Sequence, residues 1–501
     1  MKNFFSHRLL PLTAFPLIFI LIAGCQQKED SDKIPVTTVS EEGKTEFLTG
    51  RDLFEKLEQR ESLTYFENAI SKDNEFAMAY YYHALSNPTT KGFFEDLKKA
   101  VAFKDNTSQG EKLIILALKA GVDGNQKRQE EYLTQLVELY PNDERAHGQL
   151  GQFYFGQQKY QMAVDNLKKS TEINPDFSSS YNMLGYSYRN LGNYDAAEKS
   201  FIKYIELIPD DPNPYDSYAE LLMKQGKYDK SIEQYKKALS FDPTFFASHM
   251  GISNNFIYQG EFEKAKENCE TCYSIAKNDG ERRIALLTLA VANVYEGNTD
   301  NAIDLMIKRY GLANAIEDPG AMATDLAIMG NILFEAGRYE EAREKYDESL
   351  AVTEESDLSN EVKQNAKRIT LYRQGRILLK TGNVEDAKIN AMEFTKQAKD
   401  ANNTFQIWLS HDLNGIIALN EKDYKKAQDE FNNANQQNPY TFYKLALAYA
   451  GDNNNEEAKR YAEMSANFNA LTSINQAFVQ ELTIINQAFV QKKAEDMLAT
   501  L

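Results

Sequence analysis

Few residues of this chain stand where they could do chemistry. Cys269-Glu270-Thr271-Cys272 sets two thiols about one helical turn apart, the spacing of a redox pair. Such a pair draws its low thiol pKa from a helix N-terminus. Here the helical pattern begins near Glu261 and carries both cysteines well inside it, at the places Tyr235 and Ala238 hold 34 residues earlier on a buried seam. That setting favours two core cysteines over a reactive or disulfide pair, and a zinc site would want two further ligands that no neighbouring Cys or His supplies. His147 and His249 align with Tyr181 and Tyr215, the large residues opening their helices, and read as packing side chains. His83 lies beside Tyr80-Tyr81-Tyr82 and His411 in another helix, neither with a carboxylate or cysteine at ligand spacing. No G-x-S-x-G, H-E-x-x-H or G-x-x-x-x-G-K-[ST] occurs. The residues therefore suggest no enzyme, no cofactor and no metal.

The elements behind these residues repeat. Pro141, Pro175, Pro209 and Pro243 stand 34 residues apart, and Gly151/Gly185/Ala219/Ser253, Tyr160/Tyr194/Tyr228/Phe262 and Gly192/Gly226/Gly260 keep the same step. Within residues 178–211, Tyr181, Leu184, Gly185 and Tyr188, then Ala197, Phe201 and Tyr204, recur at spacings of three and four, which predicts two amphipathic helices. Gly192 falls where the first must stop and the chain reverse, and Pro209 closes the second. Small Gly185 and Ala197 leave room for two backbones to approach while Tyr188, Tyr194 and Phe201 fill the surrounding space. This order resembles the tetratricopeptide repeat, strongly over residues 144–279. Looser copies around Gly330/Tyr346, Gly415/Phe431, Gly297/Ala302, Gly375/Ala387 and Ala446/Ala458, and upstream around Phe66/Ala69, Phe93/Ala100 and Leu133/Pro141, extend it over most of residues 50–470. The resemblance implies an all-α fold, an α-α superhelix of about ten helix pairs.

The expected organisation is a leader over residues 1–24, a disordered tether over 25–49, a regular array over 50–279, an array of longer repeats over 280–470 and a capping helix over 471–501. The joint falls near Asn278-Asp279-Gly280, where the period stretches, and residues 311–322 read as a loop. In the tail, Ile474-Asn-Gln-Ala-Phe-Val-Gln480 recurs 11 residues later, close to three helical turns, which keeps one face inward and lengthens the cap.

In members of the family the first helices line a concave surface. Following the helical period, the residues not used for packing are Gln152 and Phe155; Asn182, Tyr186, Arg189 and Asn190; Asp216, Glu220, Met223 and Lys224; Met250, Asn254, Ile257 and Tyr258. Amides, aromatics, Arg and Met in one stripe suit a protein or peptide partner. The Lys-x-x-x-Asn carboxylate clamp of chaperone-binding relatives is absent, since Asp216 and Glu220 hold the matching spacing. An acidic C-terminal tail is thus a poor ligand.

The formal charge of −18 argues against nucleic acid as the main partner and is otherwise a solubility feature. Lys2 and Arg8 precede an apolar run over residues 9–22 that ends in Ala23-Gly24-Cys25, too short to favour a spanning helix. This resembles a bacterial lipoprotein signal, which implies cleavage before Cys25, lipid on Cys25 and attachment to a membrane. Gln26 beside it resembles outer-membrane sorting, with the periplasmic or surface face left open. The sequence reading is a lipid-anchored envelope scaffold that binds a protein or peptide. The alternatives are a nutrient- or glycan-binding lipoprotein, disfavoured by a single Trp (Trp408) and no long insertion, and a thiol enzyme using Cys269 and Cys272.

Overall fold

Amphipathic hairpins with small residues at the crossing point can bury a face only against one another, so the chain must stack. The computed structural model describes residues 32–56, 58–470 and 477–501. The leader, Cys25 and residues 474–476 of the duplication lie outside them. Among the described residues there are 25 α-helices and no strand. They form twelve antiparallel pairs, from α1 (Glu41–Glu55) with α2 (Gln59–Lys72) to α23 (Pro439–Gly451) with α24 (Asn455–Ala466), followed by α25 (Ala477–Leu498). The sequence suggested about ten pairs, because the outlying ones lack the Gly-x-Tyr turn.

One pair shows why the hairpin forms. In α9 (Ser178–Asn190) and α10 (Tyr194–Leu207), Leu184, Gly185, Ala197 and Phe201 are buried. A Cβ on Gly185 would lie 2.5 Å from the Phe201 ring, so only glycine permits this approach. The turn places Gly192 at φ +74, which glycine adopts without steric cost, and is locked by the Asn193 amide, which donates to Tyr188 O at 2.9 Å. One repeat earlier Gln158 takes the same left-handed conformation, φ 57, without being glycine. The aligned ring residues add a second lock. His147 Nε2 meets Pro141 O at 3.0 Å, Tyr215 OH meets Pro209 O at 2.9 Å and His249 Nε2 meets Pro243 O at 2.9 Å. These side chains pin the turn between repeats as well as packing.

The stretched period comes from the helices. α13 (Phe246–Tyr258) and α14 (Phe262–Ile275) have 13 and 14 residues, whereas α15 (Asp279–Tyr295), α16 (Thr299–Ala315) and α17 (Pro319–Glu335) have 17 each. The loop expected over 311–322 shrinks to residues 316–318, because Asp318 caps α17 and Pro319 begins it.

The N-terminal stretch differs from the tether expected through residue 49. Helix α1 starts at Glu41, capped by Ser40. Before it an extended strap crosses the starts of α3 (Ala77–Ser86), α5 (Gln109–Val122) and α7 (Glu144–Gly156). The Val39, Thr37 and Ile34 amides donate to Asp73 at 3.1 Å, Glu111 at 2.9 Å and Asp143 at 2.9 Å, and Lys33 pairs with Glu144. Carboxylates at the end of α2 and at the starts of α5 and α7, about one repeat apart, thus hold an extended segment of matching pitch.

The array winds until its turns meet. The Thr90 amide, at the start of α4 (Thr90–Phe103), donates to Asp318 at 2.9 Å. The Thr404 amide, at the start of α21 (Thr404–Asn420), donates to Gln126 at 2.8 Å, and Gln158 donates to Asn435 at 2.7 Å. Pairs two and nine, and pairs three and eleven, therefore touch, so a superhelical turn closes in about seven to eight pairs. Helix α25 does more than extend the stack, packing against α15, α17 and α23 with Ile485, Val490 and Ala494 buried.

Candidate functional site

The inner face is built by the first helices of each pair, which lie side by side so that a residue on one reaches the next. Gln152 on α7 is exposed, and Tyr186, Asn190, Lys224 and Tyr258 are partly buried. Phe155, Asn182, Arg189, Asp216, Glu220, Met223, Met250, Asn254 and Ile257 are buried. An accessible stripe was expected, whereas the close winding encloses most of it, and several of its polar groups pair with one another or with neighbouring serines.

The centre of that enclosed network lies on α9, α11 (Pro212–Lys224) and α13. Arg189 reaches one pair ahead to Glu220, Nη1 to Oε2 3.2 Å, with its guanidinium 4.6 Å from the Tyr186 ring centre. Tyr186 donates to Ser217 at 3.0 Å, and Ser248 donates to Asp216 at 2.7 Å. Asp216 and Glu220 are four apart on one helix and share a face. Burial, with the Glu220 charge adding to it, pushes the Asp216 carboxyl above its ordinary range. Burial also raises Glu220 in spite of the Arg189 charge and hydrogen bond. One neutral acid beside one ion pair is a stable way to enclose these groups, and it joins three repeats in register.

Lys224 and Tyr258 face a different neighbour. Lys224 Nζ donates to the Phe468 carbonyl and Tyr258 OH to the Ala470 carbonyl. Tyr228, which begins the adjoining α12 (Tyr228–Phe241), donates to Asn469 Oδ1 at 2.9 Å. Desolvation, with the Arg189 charge nearby, pushes the Lys224 ammonium down to about 7. The chain beyond α24 thus occupies part of the inner face itself, which no local pattern in residues 467–470 signals.

A second charged cluster lines the inner face of the longer repeats and was missed. Glu335 on α17 accepts from Arg376 on α19 (Asn360–Lys380) at 2.9 Å and from Lys493 on α25 at 3.2 Å, and it also accepts from Tyr440. Asp412 on α21 accepts from Lys444 on α23 at 2.6 Å and from Tyr372 at 3.0 Å. Burial opposes ionisation of Glu335, yet the Arg376 and Lys493 charges outweigh it and its pKa is lowered. Burial lowers Lys444 in spite of Asp412. A signal was present. Tyr372 and Asp412 stand three residues before Gly375 and Gly415, as Asn182 stands before Gly185, and Arg376 follows Gly375 as Tyr186 follows Gly185.

Cys269 and Cys272 are free, fully buried within α14, and burial raises both thiols. Two histidines do have carboxylate partners, contrary to expectation, because the hairpin brings them together from 13 and 19 residues away. His83 Nδ1 lies 2.7 Å from Asp96 and His411 Nδ1 lies 2.7 Å from Glu430. Burial works against the proton on His83, but the Asp96 hydrogen bond and the Asp96 and Glu67 charges raise its pKa. Among the described residues no cluster could hold a metal, and no helix is long and apolar enough to cross a membrane.

Residues 144–177 and 178–211 match the Tetratricopeptide repeat family profile, and residues 219–252 match a TPR repeat profile. No curated protein matches the chain. Among solved structures, a tetratricopeptide repeat protein from Parabacteroides merdae ATCC 43184 is 15% identical, covering 52% of this chain and 99% of its own at a TM-score of 0.37. PilW, a type IV pilus biogenesis factor, is 20% identical, covering 44% and 97% at 0.32. The human IFIT1 dimer with m7Gppp-AAAA is 15% identical, covering 86% and 90% at 0.40. Likenesses this distant carry nothing about ligands.

Proposed function

We propose that this chain is a non-catalytic scaffold of the bacterial envelope, held to a membrane by lipid on Cys25, that binds a protein partner along the accessible margin of its inner face. The observation that carries the scaffold reading is the continuous stack of helix pairs, whose inner side chains reach from one pair to the next. The lipid anchor rests on the residues preceding Cys25, and the choice of protein over nucleic acid on the charge of −18.

Gln152, exposed, and Asn190, partly buried, offer side-chain amides at the margin of the enclosed network. A photo-crosslinking amino acid at either position of the full-length chain, expressed in its lipidated form, should capture one discrete envelope protein. The same probe at the outward Lys168 should not. Equal capture from all three positions rejects the inner margin as the docking face. Incorporation of labelled palmitate that survives Cys25→Ala rejects the anchor.

A further inference from the structure

The segment just past α24 lies against α11, α12 and α13, more than two hundred residues upstream in the chain. Its contacts are of the kind that read a peptide. Two side chains of the array face it as a pair of donors to its main chain: Lys224 Nζ donates to the Phe468 carbonyl and Tyr258 OH to the Ala470 carbonyl. The Asn469 amide between them is held at both ends, accepting from Tyr228 OH at 2.9 Å and donating to Lys224 O at 3.5 Å. The Lys224 ammonium also sits 3.6 Å from the Phe468 ring centre. Lys224 has no acidic partner among the described residues, so a carbonyl and an aromatic face are what answer its charge. Tyr228 and Tyr258 stack on each other with ring centres 6.2 Å apart.

We propose that Lys224, Tyr228 and Tyr258 form a peptide subsite that the chain keeps filled with its own Phe468, Asn469 and Ala470, and that a partner segment offering an aromatic residue, an asparagine and a small residue in that order takes their place. The reading deepens the inner-face binding proposed above and rests on it for the existence of a partner. Asparagine is specified twice. Its amide makes both bonds, and its backbone adopts φ 48, a left-handed conformation that Asn tolerates better than most residues. Ala470 is 1% exposed, so a larger side chain at that place would not fit.

The resident segment also sets a threshold. Being part of the same chain, it competes at an effective concentration on the order of millimolar, so a free peptide with the same contacts does not displace it at micromolar levels. A partner must either add contacts elsewhere on the inner face or meet a chain whose own segment is weakened.

The experiment uses the full-length chain and a fluorescent peptide, Met-Ser-Ala-Asn-Phe-Asn-Ala, copying residues 464–470. Asn469→Ala removes both amide bonds and strains the left-handed backbone, which loosens the resident segment. By anisotropy, that variant should bind the peptide at least about tenfold more tightly than the wild type, and Lys224→Met added to it should return binding to the wild-type level. Phe468→Ala together with Asn469→Ala is a second loosened form for the same comparison, and circular dichroism checks the helical content of each. Folded loosened chains that take up no more peptide than the wild type overturn the proposal, as does uptake indifferent to Lys224→Met. Peptide exchange without capture at Gln152 or Asn190 would leave this subsite standing and remove the envelope partner. Capture without exchange would do the reverse.

Discussion

Replacing Arg189 by Met should cost the fold much more at pH 7 than at pH 5. In the native chain the Arg189 and Glu220 side chains are 4% and 9% exposed and 3.2 Å apart, and Asp216 lies nearby on the same helix. Without the guanidinium, Glu220 cannot remain ionised in that setting and takes up a proton. The unfolded chain gives that proton up above the ordinary glutamate value, so the folded variant holds more protons and its stability falls as pH rises. At about 1.36 kcal/mol per pH unit above about 4.3, the ceiling on the loss is about 3.7 kcal/mol at pH 7 and about 1 kcal/mol at pH 5. Arg189→Met/Glu220→Leu removes the stranded acid and should recover most of the difference. Urea unfolding of the full-length chain, followed by circular dichroism at both pH values, measures it. An unchanged midpoint at pH 7, or equal losses at both, would refute the view that Arg189 serves the fold and would return it to the pool of free partner contacts.

Gly185→Ala drives a methyl to 2.5 Å from the fully buried Phe201 ring and should cost about 1–3 kcal/mol in the same assay, whereas Gly156→Ala, with nothing within 4 Å of the new Cβ, should be neutral or stabilising. Asp143→Ala removes the cap that accepts from the Arg145 and Ala146 amides at 2.8 and 2.9 Å, together with the anchor of the Ile34 amide. It should cost about 1–2 kcal/mol and speed hydrogen exchange along the strap without disturbing the second half of the array. Cys269 and Cys272 should resist a thiol reagent in the native chain and react fully in denaturant; rapid native labelling would revive the redox reading.

The candidate stripe shows how far sequence reasoning reaches. Counting along α9 and α11 correctly put Tyr186, Arg189, Asp216 and Glu220 on a common face, because helical periodicity assigns direction from residues three and four apart. Whether that face meets solvent depends on the small rotation between successive pairs, which accumulates over the array and decides if the superhelix stands open or closes on itself. The strap failed for a related reason. Residues 33–39, Lys-Ile-Pro-Val-Thr-Thr-Val, carry no helical period, and they are held because Asp73, Glu111 and Asp143 stand at matching intervals along the stack while Ile34 and Val36 pack against the core.

By itself, the amino-acid order determined the hairpin, its glycine turn, its close crossing at Gly185 and the repetition of all three, since each depends on neighbours within one pair. The tertiary structure alone decided that Thr90 meets Asp318, that the inner acids are enclosed, and that Phe468 lies against Lys224. Those contacts join residues more than two hundred positions apart, or follow from the summed curvature of many pairs, and no local period encodes a sum.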